Sequence, residues 1–119
     1  MAKVLEACPS FTDEWEELVS EWENEGEPPL YIGLASFARH LVSLLESADE
    51  TTLRSAFSII EELHVAGAEE VKEAATIGIL ENLQNTNIHN TTTPVEFEEY
   101  LGKESRDSWE WLNQFWDNG

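Results

Sequence analysis

Three places in this sequence carry residue types that could do chemistry. Glu61-x-x-His64 sets a carboxylate and an imidazole three residues apart. On a helix that spacing puts two metal ligands on one face, as in di-iron carboxylate bundles. Such a centre also needs a second pair of the same kind and two more carboxylates. Phe37 stands three before His40, and Thr86 three before His89. No second pair exists, so no metal or other cofactor is expected, and His64 reads as a helix-end histidine. Glu81 follows the apolar run Ile77-Gly78-Ile79-Leu80. A carboxylate on an otherwise apolar helix needs a partner, and Arg39, Arg54 and Lys72 are the candidates. Acid–base catalysis would need a second, matched group, and none stands at a recognisable spacing. Cys8 is the sole cysteine, and its acidic surroundings are the wrong ones for an activated thiolate. The glycines are isolated, and there is no nucleophile elbow, cysteine pair or calcium loop. No catalytic residue is expected, and the chain reads as non-enzymatic.

With chemistry set aside, charge becomes the feature to explain. The chain has 119 residues, 25 Asp and Glu against 6 Lys and Arg, and a formal net charge of −19. Direct nucleic-acid binding needs a basic face, which so few cations cannot build. Docking on an anionic membrane fails for the same reason. No run approaches the roughly 18 apolar residues of a spanning helix. High charge can mean disorder, but 10% of the residues are aromatic, five of them Trp, and that composition belongs to a folded core. A single cysteine allows no internal disulfide, and MAKVLEACPS has no apolar stretch long enough for a signal peptide. A cytoplasmic location is expected.

The charge is concentrated near the N-terminus. Nine acidic residues fall between Glu6 and Glu27, and no Lys or Arg occurs between Lys3 and Arg39. At 100° per residue, Asp13, Glu17 and Glu21 lie opposite the apolar stripe Trp15/Leu18/Trp22, with Glu14 and Glu25 flanking. This is a negative ridge with no internal partner. Solvated faces normally mix signs, and like charges at i,i+4 disfavour the helix that carries them. The ridge is therefore read as a docking surface for a basic protein, steering it electrostatically. In the Trp-rich end DSWEWLNQFW, Trp109, Leu112, Phe115 and Trp116 share one apolar face. Trp111 falls off that face and is a candidate interface anchor.

The elements that must position these residues read as helical throughout. A first helix carries Phe11 to Trp22 and ends at Gly26 and Pro28–Pro29. A second covers 30–47, with Tyr31, Leu34, Ala35, Ala38, Leu41, Val42 and Leu45 as its stripe. A third runs from about 49–51 to 66 on Leu53, Ala56, Phe57, Ile60 and Leu63, with Gly67 as a left-handed C′ residue. A fourth, 69–85, follows after a short turn and is apolar all round, so it is central. Gly78 within it marks a close helix crossing. Residues 85–93 read as a loop. Pro94 starts a short helix ending near Leu101, and Ser105 can cap the last helix. The expected fold is all-α, a single compact domain (1–119) of five to six helices in an irregular bundle of antiparallel pairs, with 1–9 loosely ordered.

Three segments carry a resemblance: Tyr31 to Leu45 (YIGLASFARHLVSLL), Ile77 to Asn85 (IGILENLQN) and Tyr100 to Trp116 (YLGKESRDSWEWLNQFW). Together they resemble a group of small acidic all-helical bacterial proteins regarded as immunity proteins of polymorphic toxin systems. The likeness covers most of the chain after residue 30. Its motifs, a Leu-Glu-x-Leu-Gln-Asn turn and Leu-Gly before a Trp-rich helix, are folding motifs, so no functional residue transfers. The resemblance implies a non-catalytic inhibitor that binds a cognate toxin. The partner contact is expected at Asp13, Glu14, Glu17, Glu21, Glu25 and Trp111. The alternative is a DNA mimic that inhibits a nuclease or other DNA-binding defence protein through carboxylates spaced like phosphates.

Overall fold

Helix signals in this chain begin earlier than residue 10. In the computed structural model, which describes the backbone of residues 2–118 and the side chains of 2–115, α1 spans Ala2–Ala7. Val4 and Cys8 are buried in the core, and the Ser55 hydroxyl donates to the Ala7 carbonyl at 2.7 Å. The segment expected to be loosely ordered is thus a helix docked on α4. Two apolar residues four apart suffice to fasten one short turn once α4 offers a surface. α2 (Thr12–Glu21) follows a 3₁₀ turn at Pro9–Phe11, then α3 (Leu30–Glu46) and α4 (Glu50–Ala66). The Asp49 carboxylate caps α4 by accepting from the Thr52 N–H at 3.2 Å. α3 ends with Ala48 in the left-handed region at φ 59°, closed by the Asp49 N–H donating to the Leu44 carbonyl at 2.9 Å.

The helix expected over 69–85 is continuous but not uniform. It comprises α5 (Glu69–Glu73), a π-helical segment (Ala74–Leu80) and α6 (Glu81–Leu83). Its middle is central, as expected: Ala74, Ala75, Ile79, Leu80 and Leu83 are buried, and α3 packs along the π segment. Gly78 makes that crossing possible. A Cβ there would stand 2.7 Å from Leu34 Cδ1, 3.1 Å from Leu34 Cβ and 3.3 Å from Tyr31 Cδ1. Gly67 is not left-handed but extended, at φ −77° and ψ 153°. It is small because a Cβ would meet the Leu63 carbonyl and Val71 Cγ1.

Residues 85–93 hold only a 3₁₀ turn (Thr86–Ile88), and Pro94–Tyr100 forms a 3₁₀ helix. The Glu96 carboxylate reaches back to accept from the Thr93 N–H at 2.6 Å, the reciprocal arm of a capping box. α7 spans Lys103–Asn118. Among the described residues there are seven α-helices and no strand. The count exceeds five to six because α1 forms and the π segment splits the fourth helix. The core runs through one cluster from Val4 to Leu112, centred on Phe11, Phe37, Phe57, Phe97 and Trp109. The radius of gyration is 13.8 Å, close to the roughly 13.5 Å of a well-packed globule of this length. Among the described residues, no helix is long and apolar enough to cross a membrane.

Candidate interaction surface

α2 lies on the outside of the fold. None of its residues is fully buried, because Trp15, Leu18 and Trp22 rest only half-buried against the body while Phe11, just before it, fills the core. Asp13, Glu14, Glu16, Glu17 and Glu21 are all exposed. Two details differ from the sequence reading. The helix ends at Glu21, and the chain then turns through Gly26 at φ 98°, so Glu25 is exposed but stands beyond the helical ridge. Glu14 has an internal partner: its Oε2 lies 2.9 Å from His40 Nδ1 on α3, as an ion-pair contact rather than an aligned hydrogen bond. Asp13, Glu17 and Glu21 make no ion pair among the described residues.

His40 is the centre of a polar clasp. Its ring is 7% exposed and packs on Phe11, with centroids 5.6 Å apart. Its Nε2 lies 2.8 Å from Ser10 Oγ, which lies 3.5 Å from Cys8 Sγ. Burial of the ring opposes protonation, but the contacts with Cys8 and Glu14 outweigh it, and the His40 pKa is raised above its ordinary value. Ser10, His40 and Glu14 stand in the order of a nucleophile, a base and an acid. The groove beside them is lined by Glu14, Glu17 and Glu21, with Arg39 and the His40 ring among its other residues. A developing oxyanion there would face carboxylates, the reverse of what acyl transfer requires. The chain of contacts instead ties the 3₁₀ turn and α2 to α3.

Glu61 and His64 meet a different fate from metal ligation. The Glu61 carboxylate, half-buried on α4, accepts from the Glu104 N–H at 3.0 Å and from the N–H and hydroxyl of Ser105 at 2.8 Å each. It caps α7 from 43 residues away in sequence, so the capping role expected of Ser105 belongs to Glu61. Gly102 leaves room beside it: a Cβ there would meet the Glu61 side chain, which would have to shift. Partial burial works against ionisation, but the Glu104 and Ser105 hydrogen bonds prevail and lower the Glu61 pKa. His64 is buried, with Nδ1 2.8 Å from the Ile60 carbonyl and Nε2 3.0 Å from Thr76 Oγ1. The carbonyl can only accept, so Nδ1 donates to it. Among the described residues no three His, Cys, Asp or Glu side chains converge on a metal position. Glu81 is half-buried and, contrary to expectation, pairs with none of Arg39, Arg54 or Lys72. Arg54 stacks instead over Tyr100, 5.1 Å from its centroid.

The last helix buries Trp109 and Leu112 and leaves Trp111 56% exposed. Phe115, expected on the buried face, is exposed and stacks on Trp111 with centroids 6.1 Å apart. Among the described side chains of α7, Leu112 is the last that is buried. Trp116 lies outside the described side chains. Trp111 borders a groove shared with α5 and the π segment, whereas the α2 carboxylates border a groove shared with α3. The two expected contact features therefore occupy separate grooves.

These features define a class: an all-helical protein with two outward acidic grooves. Residues 1–117 match the family described as Domain of unknown function (DUF7674), and the chain belongs to that family. No curated protein and no solved structure matches it. The clasp and the cap were missed in the sequence because their partners are 30 and 43 residues apart. The only local signal was a histidine or glutamate on a helix that also carries apolar residues.

Proposed function

We propose that this protein is a cytoplasmic bacterial immunity protein that binds and neutralises a cognate toxin, acting by contact rather than catalysis. The observation that carries the reading is α2. Asp13, Glu17 and Glu21 are exposed, lie on successive turns and have no cationic partner within the described residues. Such a row costs helix stability and acts as a steering surface for a basic protein. The resemblance in the second, fourth and last helices supports the class, and a basic toxin domain is the partner that the charge fits. A DNA mimic fits less well. α2 has 10 residues, about 15 Å of helix, against roughly 34 Å for one duplex turn.

The test is a pull-down from the source bacterium with mass spectrometry, followed by association kinetics on the partner recovered. Asp13, Glu17 and Glu21 are changed to Lys, and Glu14 is left intact because it braces His40. The expected result is a stoichiometric toxin whose association slows at low salt and loses much of its salt dependence in the variant. An unchanged rate and salt slope would remove α2 as the docking surface.

A further inference from the structure

The groove between α5, the π segment and α7 has a composition that α2 lacks. It encloses about 540 Å³. Trp111 forms an aromatic wall, and the π-helical residues Thr76 and Ile77 form the floor. Glu69, Glu73, Glu104 and Asp107 surround it, with Lys72 the single cation. Glu104 is contacted by Lys103 at 3.6 Å, across an exposed pair of the kind that contributes little. Buried Trp side chains dominate interface energetics, yet this one is turned to solvent. π-helical segments recur at functional sites.

We propose that this groove is a docking site for an arginine side chain presented by a basic partner segment. The proposal deepens the reading above, since it supplies a second contact for a partner of the same charge. Arginine is the residue whose chemistry matches both walls. Its planar guanidinium stacks on an indole face while its edge N–H groups pair with carboxylates. A lysine ammonium satisfies the carboxylates but stacks less well, and an apolar residue leaves the acidic rim without a counter-charge. A second copy of this chain would bring another −19 against an already acidic rim, so self-association is disfavoured.

The test uses the whole chain and a defined probe, an acetylated peptide of alternating Arg and Gly, with the Lys–Gly peptide as comparison. Amide and indole N–H shifts are followed by NMR during titration. The expected result is shift changes at the Trp111 indole N–H and around Thr76 and Ile77, with Arg–Gly binding tighter than Lys–Gly. Trp111→Ala should weaken Arg–Gly binding by about two- to fivefold, the effect of one exposed cation–π contact, while Trp111→Phe retains most of it. Shifts confined to α2, equal affinity for the two peptides, or no effect of Trp111→Ala would each overturn the proposal. Shifts confined to α2 would overturn the groove while leaving the α2 reading intact. No binding of either peptide at low salt would overturn the groove and also count against an acidic docking surface.

Discussion

Removing the Glu61 carboxylate should loosen α7 from the body, and the size of the effect can be built from its contacts. In Glu61→Ala the α7 N-terminus loses a side-chain cap, about 0.5–2 kcal/mol. The Ser105 hydroxyl, fully buried, loses its acceptor. His64 Nδ1, 3.4 Å away, cannot replace it, because that nitrogen already donates to the Ile60 carbonyl. An unsatisfied buried hydroxyl costs about 1–3 kcal/mol, so with the lost cap the total should be about 1.5–5 kcal/mol. The entropy of unfolding for a chain this long corresponds to about 4 °C per kcal/mol, which places the fall in Tm at about 6–20 °C by calorimetry or circular dichroism. Glu62→Ala, on the same helix, is the control. Glu62 is exposed and its contact with Lys3 is 3.8 Å long, so it reports the removal of one negative charge and a weak surface pair without a helix cap. Acid titration gives a second readout. The folded-state pKa of Glu61 is lowered, so its contribution is complete above the unfolded value of about 4.5 and disappears as pH falls through the folded value. The stability gap between wild type and Glu61→Gln should therefore be constant at neutral pH and close below about pH 4.5. A Glu61→Ala midpoint within about 2 °C of Glu62→Ala would refute the cap.

Three further outcomes follow from other contacts. Gly78→Ala should destabilise by about 1–2 kcal/mol in chemical denaturation, because the added methyl overpacks against Leu34 and Tyr31; in a Leu34→Ala background the same change should be close to neutral. Ala48→Gly should raise stability by about 0.5–1 kcal/mol, since Ala48 holds a left-handed conformation at φ 59° that glycine adopts without strain. The His40 clasp should favour low pH: its folded pKa is raised, so its contribution is full below about 6.5 and lost as pH rises through the folded value. Wild type should therefore exceed His40→Asn in stability by more at pH 6 than at pH 8.

The helices were legible where one stripe of apolar residues faced one core. Leu53, Ala56, Phe57 and Ile60 set α4, and Trp109 and Leu112 set α7, each by spacing alone. Gly78 announced the close crossing because a glycine in an apolar helix is retained only when a neighbour approaches. What spacing could not reveal was which polar groups would find each other. Glu61 was noticed for its neighbour His64 on the same helix, but its partners are the first N–H groups of α7. Glu14 was assigned to solvent because periodicity gives a direction from the axis of α2 and not the identity of what packs there. The π segment was also hidden, since the apolar residues of Ala74–Leu80 are equally compatible with an ordinary α-helix. Phe115 was misplaced because an apolar period does not say where the neighbouring elements stop.

The placement of carboxylates separates what the fold needs from what it tolerates. Glu61, Glu96, Glu98 and Glu14 each hold a backbone or side-chain partner: a helix start, a turn, the Trp109 indole N–H at 3.2 Å, and His40. These would be explained by stability alone. Asp13, Glu17 and Glu21 are not explained in that way, since they repel one another on one face and make no compensating contact among the described residues. Glu69, Glu73 and Asp107 around Trp111 are in the same position. Solubility requires net charge but not its concentration, because carboxylates interspersed with lysines would dissolve the protein with less self-repulsion. Sites where a sequence departs from what its own fold favours are where a role outside the fold is expected. In this chain all of those departures but Asp13 border two grooves, and in each a cation is the group that would relieve the repulsion.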